Sequence, residues 1–228
     1  MPTLDEVNNK SAARLNGLNP AVRAGTVALI QRSYEKGVPI VITQGLRTIA
    51  EQNALYAQGR TKPGPIVTHA RGGTSYHNYG LAVDFALLLP DGRSVSWDMN
   101  RDGDKDTRSD WQEVIQEAKK LGFDWGGDWS SFKDYSHLQM AFGLSTKQLQ
   151  AGLRPTAQQV NDALRRIAGG DDEVNKDIKV TVTLNGKKLT DGVLDSDTAY
   201  VPVRALAEAL GAKVTYDAKT KSVHIVKE

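Results

Sequence analysis

The chain has 228 residues, enough for one large domain or one medium domain with a small one. Its formal net charge of +2 is too small to argue for a nucleic-acid partner, and a sequence pI near 8.7 only mildly favours anionic polymers. It has no cysteine, so neither a disulfide nor a thiolate metal site is available.

The first residues, MPTLDEVNNKSAARLNGL, contain no apolar core of the kind a secretory signal carries, and nothing later approaches 18 consecutive apolar residues. The expectation is a chain made in the cytoplasm without a signal peptide and without membrane insertion. Residues 19 to 36 predict a helix: Asn19 can cap it, Pro20 suits its first turn and Gly37 can end it. Val22, Leu29, Ile30 and Ser33 fall near one face. VPIVITQG follows as a buried strand, delivering Gly45, Leu46 and Arg47. Thr48 with Glu51 then makes a capping box for a helix to about Gln58. Arg47 thus stands at a strand-to-helix junction, a common place for site residues. Residues 59 to 74 are rich in Gly, Pro and Thr and predict a loop, which holds His69.

The stretch SYHNYGLAVD, Ser75 to Asp84, carries the first chemical signal. Leu81, Val83 and Phe85 alternate with Ala82, Asp84 and Ala86, the period-two pattern of a strand with one face in a core. Asp84 lies inside that strand, where a carboxylate needs hydrogen bonds, a cation or a metal to offset desolvation. A turn through Asn78, Tyr79 and Gly80 can bring His77 back beside it. A hairpin around Pro90-Asp91-Gly92 follows. The acidic run beyond it offers oxygen donors at Asp98, Asn100, Asp102, Asp104, Asp106 and Asp110, with Gly103 at the sixth place counted from Asp98. That is the first half of a calcium loop, but Ser109 stands where its bidentate Glu would be. A calcium site and a solvated acidic turn both remain open here.

Residues 109 to 121 predict a helix with Trp111, Val114, Ile115, Ala118 and Leu121 on one face. Trp125, Trp129 and Phe132 follow and are expected to wall a cleft. In DYSHLQMAF, Asp134 precedes His137 by three, and His137, Gln139 and Ala141 share one strand face. Two His and one Asp, namely His77, His137 and Asp84, are the three protein ligands of a catalytic zinc site that keeps a fourth position for water. Asp134 is left over to take a proton from that water.

These residues carry a resemblance. SYHNYGLAVDF followed by WGGDWSSFKDYSHLQ is similar to the zinc peptidases of bacterial cell walls: D-alanyl-D-alanine dipeptidases and carboxypeptidases, and the L-alanyl-D-glutamate endopeptidases of phage endolysins. The family pattern SxHxxGxAxD, then an acidic residue three before a second His, is met at Ser75, His77, Gly80, Ala82, Asp84, Asp134 and His137. The resemblance spans roughly residues 4 to 154. It implies an α+β fold of the hedgehog/DD-peptidase type, zinc on His77, Asp84 and His137, and Asp134 as general base. It also implies that Arg47 steadies an oxyanion, with Ser75, Gln52 and Trp129 as substrate-side residues. Some phage members carry calcium loops at the place of the acidic run.

Past residue 144 the character changes. A short helix carries Val160, Leu164 and Ile167 on one face, and a polar linker follows it. From 178 a small ββαββ unit is expected, with a hairpin about Asn185-Gly186, a helix in VPVRALAEALG and a second hairpin. VPVRALAEALGAKVTYD resembles the domain named after the N-terminal region of copper amine oxidases. The unit has no copper cluster, since His224 is its only His. At about 50 residues its core is marginal, so it is expected to pack on the preceding helix or to self-associate.

The expected organisation is a zinc peptidase domain over 1–154, a helix and linker over 155–177, and an accessory wall-associated unit over 178–228. The expected activity is that of an endolysin-like endopeptidase cutting the L-alanyl–D-glutamate bond of peptidoglycan, acting on the wall after release. The alternatives are a D-alanyl-D-alanine carboxypeptidase or dipeptidase on the same residues, and a zinc-containing wall-binding module without catalysis.

Overall fold

The computed structural model describes residues 2–169, 179–195, 198–217 and 222–227, and the chain divides into two compact units, Met1–Ile167 and Ala168–Glu228. Among the described residues no helix is long and apolar enough to cross a membrane.

The first unit is α+β. Helix α1 (Leu4–Ala12) starts at a Thr3/Glu6 capping box, and α2 (Pro20–Glu35) starts at the Asn19 cap with Pro in its first turn. Strand β1 (Ile40–Gln44) leads through Arg47 to α3 (Ile49–Ala57), which the Thr48/Glu51 box opens as the sequence predicts. Strand β2 (Ala82–Leu88) pairs by hairpin with β3 (Val95–Ser96). Helix α4 (Asp110–Lys120) and the short strand β4 (Asp124–Trp125) come next, then β5 (His137–Gln139), α5 (Thr146–Gln150) and α6 (Ala157–Ile167).

One antiparallel sheet runs β1-β2-β5-β4, with β3 beside β2. Both faces of β2 are covered rather than one: Ala82 and Ala86 are as fully buried as Val83 and Phe85, and Asp84 is its one half-buried residue. Strand β5 is shorter than its alternating sequence suggests. It stops at Gln139, and Phe142 already adopts a left-handed φ of 52°. The outer edge of β1 is blunted by α1, where the Ser11 hydroxyl accepts the amide of Ile42 at 3.0 Å.

Helices α2 and α4 build the core against this sheet. Trp111 of α4 lies against Phe85 of β2, ring centroids 4.6 Å apart, and both are fully buried. Truncating either to Ala would cost ~3–5 kcal/mol. Glu117 of α4 meets Lys36 and Arg32 at 3.5 and 4.0 Å, linking α4 to the end of α2. Helix α6 belongs to this unit: Ala163 and Ile167 are buried in the same core, and the Ile167 carbonyl accepts from Arg32 at 3.3 Å.

The second unit has a three-stranded antiparallel sheet of β6 (Lys179–Leu184), β7 (Lys187–Asp195) and β8 (Thr198–Tyr200). Helix α7 (Val203–Ala209) and a hairpin of β9 (Ala212–Asp217) with β10 (Ser222–Lys227) follow. The first turn is Asn185-Gly186, at φ of 51° and 74°, the backbone a two-residue hairpin loop requires. Strand β8 extends the predicted first hairpin by one strand. The polar linker and the turn between β9 and β10 lie outside the described residues.

Candidate functional site

The sheet register does most of the positioning. Asp84 of β2 sits directly opposite His137 of β5 and is also paired with Gln44 of β1, across an irregularity between Ile42 and Gln44. His77 arrives from outside the sheet, on a tight 3-10 turn over Tyr76–Tyr79. Gly80 ends that turn at φ 66°, and a Cβ there would stand 2.5 Å from the Gly17 carbonyl oxygen, so the bend requires glycine.

Three donor atoms converge as a result. His77 Nε2 lies 3.2 Å from Asp84 Oδ1 and 3.2 Å from His137 Nδ1, and His137 Nδ1 lies 3.4 Å from Asp84 Oδ1. Atoms bound tetrahedrally to zinc at its usual N and O distances stand about 3.3 Å apart. The outer hydrogen bonds fix the tautomers to match. His77 Nδ1 donates to the Gly45 carbonyl at 2.9 Å, leaving Nε2 its lone pair. His137 Nε2 donates to Gln139 Oε1 at 2.9 Å, leaving the lone pair on Nδ1. Two lone pairs and a carboxylate aimed at one point repel one another unless a cation sits between them, and imidazole and carboxylate donors suit zinc. Both imidazoles are nearly buried. Burial pushes the Asp84 carboxyl up, but the two imidazoles, when they carry protons in place of a metal, outweigh it and hold it well below the usual carboxylate range. Burial likewise lowers the His137 imidazole, and Asp84 more than reverses that.

Around the cluster lies a cleft of about 790 Å³ lined by Arg47, Ser75, Trp129 and Asp134 together with the three ligand residues. Arg47 Nη2 is 3.6 Å from Asp84 Oδ2, Nη1 donates to Gln52 Oε1 at 2.9 Å, and Nε is buried without a hydrogen-bond partner among the described residues. Asp134 accepts from the Ser136 hydroxyl at 3.0 Å and is half-buried. Gly126 makes room for it, since a Cβ there would run into the Asp134 carbonyl and crowd His137. Trp129 packs on His137 with ring centroids 5.1 Å apart.

Some expectations need correction. Gln52 is wholly buried and spends its amide on Arg47, Ala70 and Thr68, so it has no surface for substrate and instead holds Arg47. Trp125 does not wall the cleft; it is buried, with its indole N–H on the Tyr135 carbonyl at 2.8 Å. Phe132 does line it, and meets His69 at 4.6 Å, so the 59–74 loop forms part of the cleft. Two functional contributors escaped the sequence reading as such, the Gly45 carbonyl and Gln139. Gln139 was legible in principle, because residues two apart on a strand share a face.

In the acidic run, Asp98 accepts the amide of Asn100 at 2.9 Å, and among the described residues Asp98 joins no group of converging carboxylates. Asp102, Asp104, Asp106 and Asp110 do, and they bring in Glu113 of α4, which the sequence reading did not single out.

Several known proteins are similar to this chain in sequence. The family model described as D-alanyl-D-alanine carboxypeptidase matches residues 68–140, and that of the copper amine oxidase N-terminal domain matches residues 175–228. The chain is 58% identical over 123 residues to the peptidoglycan L-alanyl-D-glutamate endopeptidase CwlK of Bacillus subtilis (strain 168), covering 54% of this chain and 73% of that protein. It is 32% identical over 134 residues to the L-alanyl-D-glutamate peptidase of Listeria phage A118, covering 59% of this chain and 42% of that one. The crystal structure of the Serratia marcescens L-Ala D-Glu endopeptidase ChiX aligns at 26% identity with a TM-score of 0.41, over 58% of this chain and 87% of that one. Identity of this depth across nearly three quarters of a curated endopeptidase makes this chain a member of the zinc-dependent peptidoglycan peptidase family that joins D-alanyl-D-alanine carboxypeptidases and L-alanyl-D-glutamate endopeptidases.

Proposed function

We propose that the chain is a zinc-dependent peptidoglycan hydrolase that cuts the L-alanyl–D-glutamate bond of the stem peptide. The observation that carries this is the triangle of His77 Nε2, Asp84 Oδ1 and His137 Nδ1, with edges of 3.2 to 3.4 Å, at the floor of a cleft. Zinc bound there supplies a Lewis acid and brings the pKa of a water near neutrality.

The chain's own residues do the rest. Asp134, at the cleft wall, takes the proton of the attacking water as its oxygen adds to the L-alanyl carbonyl carbon. It returns that proton to the D-glutamyl nitrogen as the C–N bond breaks, leaving an amine and a carboxylic acid that releases its proton to solvent. Arg47, fixed by Gln52 and Asp84, presents its guanidinium to the charge that develops on the carbonyl oxygen. Ser75 and Trp129 border the substrate, and exposed Val67 and Phe132 give the rim an apolar surface for the stem peptide.

The second unit serves as a wall-attachment module that also self-associates. Support comes from its exposed Val203, Leu210, Tyr216, Val223, Ile225 and Val226. Calcium is an accessory cation at the acidic loop before α4. The phage relative fits a lysin acting on the wall after release.

Digestion of purified peptidoglycan followed by mass spectrometry tests the assignment. A new D-glutamate N-terminus on the released peptide is expected. Loss of single D-alanine residues would reassign the chain as a carboxypeptidase, and wall binding without cleavage would make it a binding module.

A further inference from the structure

The cleft does not end at Phe132. Val67, Phe132 and Asp134 line it and also line a second groove of about 280 Å³, walled further by Trp97, Trp111 and Tyr135. Trp97 is 53% exposed, Phe132 48% and Tyr135 45%, so three aromatic side chains face water along one trough. Scattered exposed apolar residues are ordinary, but a contiguous aromatic patch opening from a cleft marks a binding surface. Its floor is fixed. The Tyr135 carbonyl accepts the indole N–H of Trp111 at 3.3 Å and of Trp125 at 2.8 Å, and Trp97 stands beside Trp111 with ring centroids 6.4 Å apart. Side chains already held in place lose little freedom when a ligand settles on them.

The sheet sets where the trough lies. Strands β3 and β5 both pair with the edge of β2 that β1 leaves free, at Leu87–Leu88 and Ala82–Asp84. Trp97 follows the Leu87–Ser96 pair by one step and Tyr135 precedes the Asp84–His137 pair by two, so both come level with Ala86. That is two residues along β2 from the ligand Asp84, ~7 Å at the rise of a strand. In peptidoglycan the L-alanyl nitrogen is acylated by the lactyl group of a muramic sugar. From the L-alanyl carbonyl carbon to that sugar is about two residue lengths, again ~7 Å. The D-glutamyl arm is equally close but carries a free carboxylate, because the stem continues through its side chain. Charge decides between the two arms. Among the described residues the trough holds Asp134 and one basic side chain, Lys133, whose ammonium is taken by the Gly127 carbonyl at 2.8 Å. An anionic arm gains nothing there. An N-acetylated, amide-linked pyranose is neutral, and its ring lays a flat patch of C–H bonds on an aromatic face while its hydroxyls stay in water.

We propose that the trough of Trp97, Phe132 and Tyr135 is a saccharide subsite that seats the muramyl sugar next to the bond being cut, with Trp97 as its main stacking surface. The inference rests on the peptidase reading and adds a preference to it: stem peptides still attached to the glycan are better substrates than peptides already released from it. Binding energy from an unreacting part of the substrate, used to hold the reacting bond in place, raises kcat/KM.

Two substrates test this: an N-acetylmuramyl tetrapeptide, and the same tetrapeptide with a plain N-acetyl cap, so that both offer an amide at L-alanine. The zinc-loaded full chain should cut the muramyl form with a kcat/KM about tenfold or more above that of the capped form. Trp97→Ala should bring that ratio to within about twofold of one, and Trp97→Phe should keep most of it. Circular dichroism checks that the variants fold; if Trp97→Ala does not, Tyr135→Ala must show the same loss of preference. Equal kcat/KM on the two substrates in the wild type, or a muramyl preference that survives in Trp97→Ala, overturns the saccharide subsite, while cleavage at the L-alanyl–D-glutamate bond leaves the peptidase reading intact. A Trp97→Ala defect of equal size on both substrates assigns the trough to the peptide and overturns it too. Cleavage of neither substrate removes the peptidase reading and this inference with it.

Discussion

Gln52 holds Arg47 by a 2.9 Å hydrogen bond from Nη1 to its side-chain oxygen, while its own amide nitrogen donates to the Ala70 carbonyl at 2.8 Å. One buried side chain therefore ties the cleft arginine to the 59–74 loop. Gln52→Ala should lower kcat by roughly 10–10²-fold with zinc content unchanged, because a guanidinium out of place no longer meets the developing charge. Peptide-hydrolysis kinetics with parallel metal analysis checks this; unchanged kcat would release Gln52 from any positioning role.

Asp134→Asn should keep both fold and zinc and lose about 10²–10⁴-fold in turnover. Activity within a few-fold of wild type would mean that another group moves the proton.

His77→Ala should abolish stoichiometric zinc, since it removes one of three ligands. The outer contact is the subtler test: Gln139→Leu removes the acceptor that orients His137 and should weaken zinc affinity by roughly 10–100-fold. Competition with a chromogenic chelator reads the affinity directly, and equal affinities would show that the strand alone orients the imidazole.

Glu117 gives a pH prediction. Burial pushes its carboxyl up, but Lys120 and Lys36 outweigh that and leave it below the ordinary glutamate range. A carboxyl with a depressed folded pKa contributes stability that is present above its unfolded pKa and lost as pH falls through the folded one. Glu117→Gln should therefore cost ~1 kcal/mol near neutral pH, a small figure because its partners are solvent-exposed. The difference should vanish below about pH 4. Urea unfolding at pH 7 and pH 3.5 makes the comparison; a difference that persists in acid would point to packing instead of charge.

Truncation after Gly169 should leave a folded unit that cleaves short stem peptides, because the core of the first unit closes at Ile167 of α6. Its activity on intact walls should fall. An unfolded truncate, seen by circular dichroism, would make the second unit part of the catalytic fold.

The sequence by itself determined the local chemistry and most of the punctuation. The caps at Asn19 and Thr48 and the turn at Asn185-Gly186 are local, so their residues suffice to specify them. His77, Asp84, Asp134 and His137 were legible as a set because few other patterns place such costly groups beside buried strands. Tertiary structure decided what depends on partners distant in the chain. The register of β2 against β5 sets Asp84 opposite His137, and the Gly45 carbonyl selects the His77 tautomer across 32 residues. Gln52 reads locally as a surface-helix polar residue and becomes a buried brace only because the 59–74 loop closes over it. Spacing alone says nothing of Glu113, whose side chain is buried in α4 beside Asp104 and Asp106, because burial is a property of the folded chain.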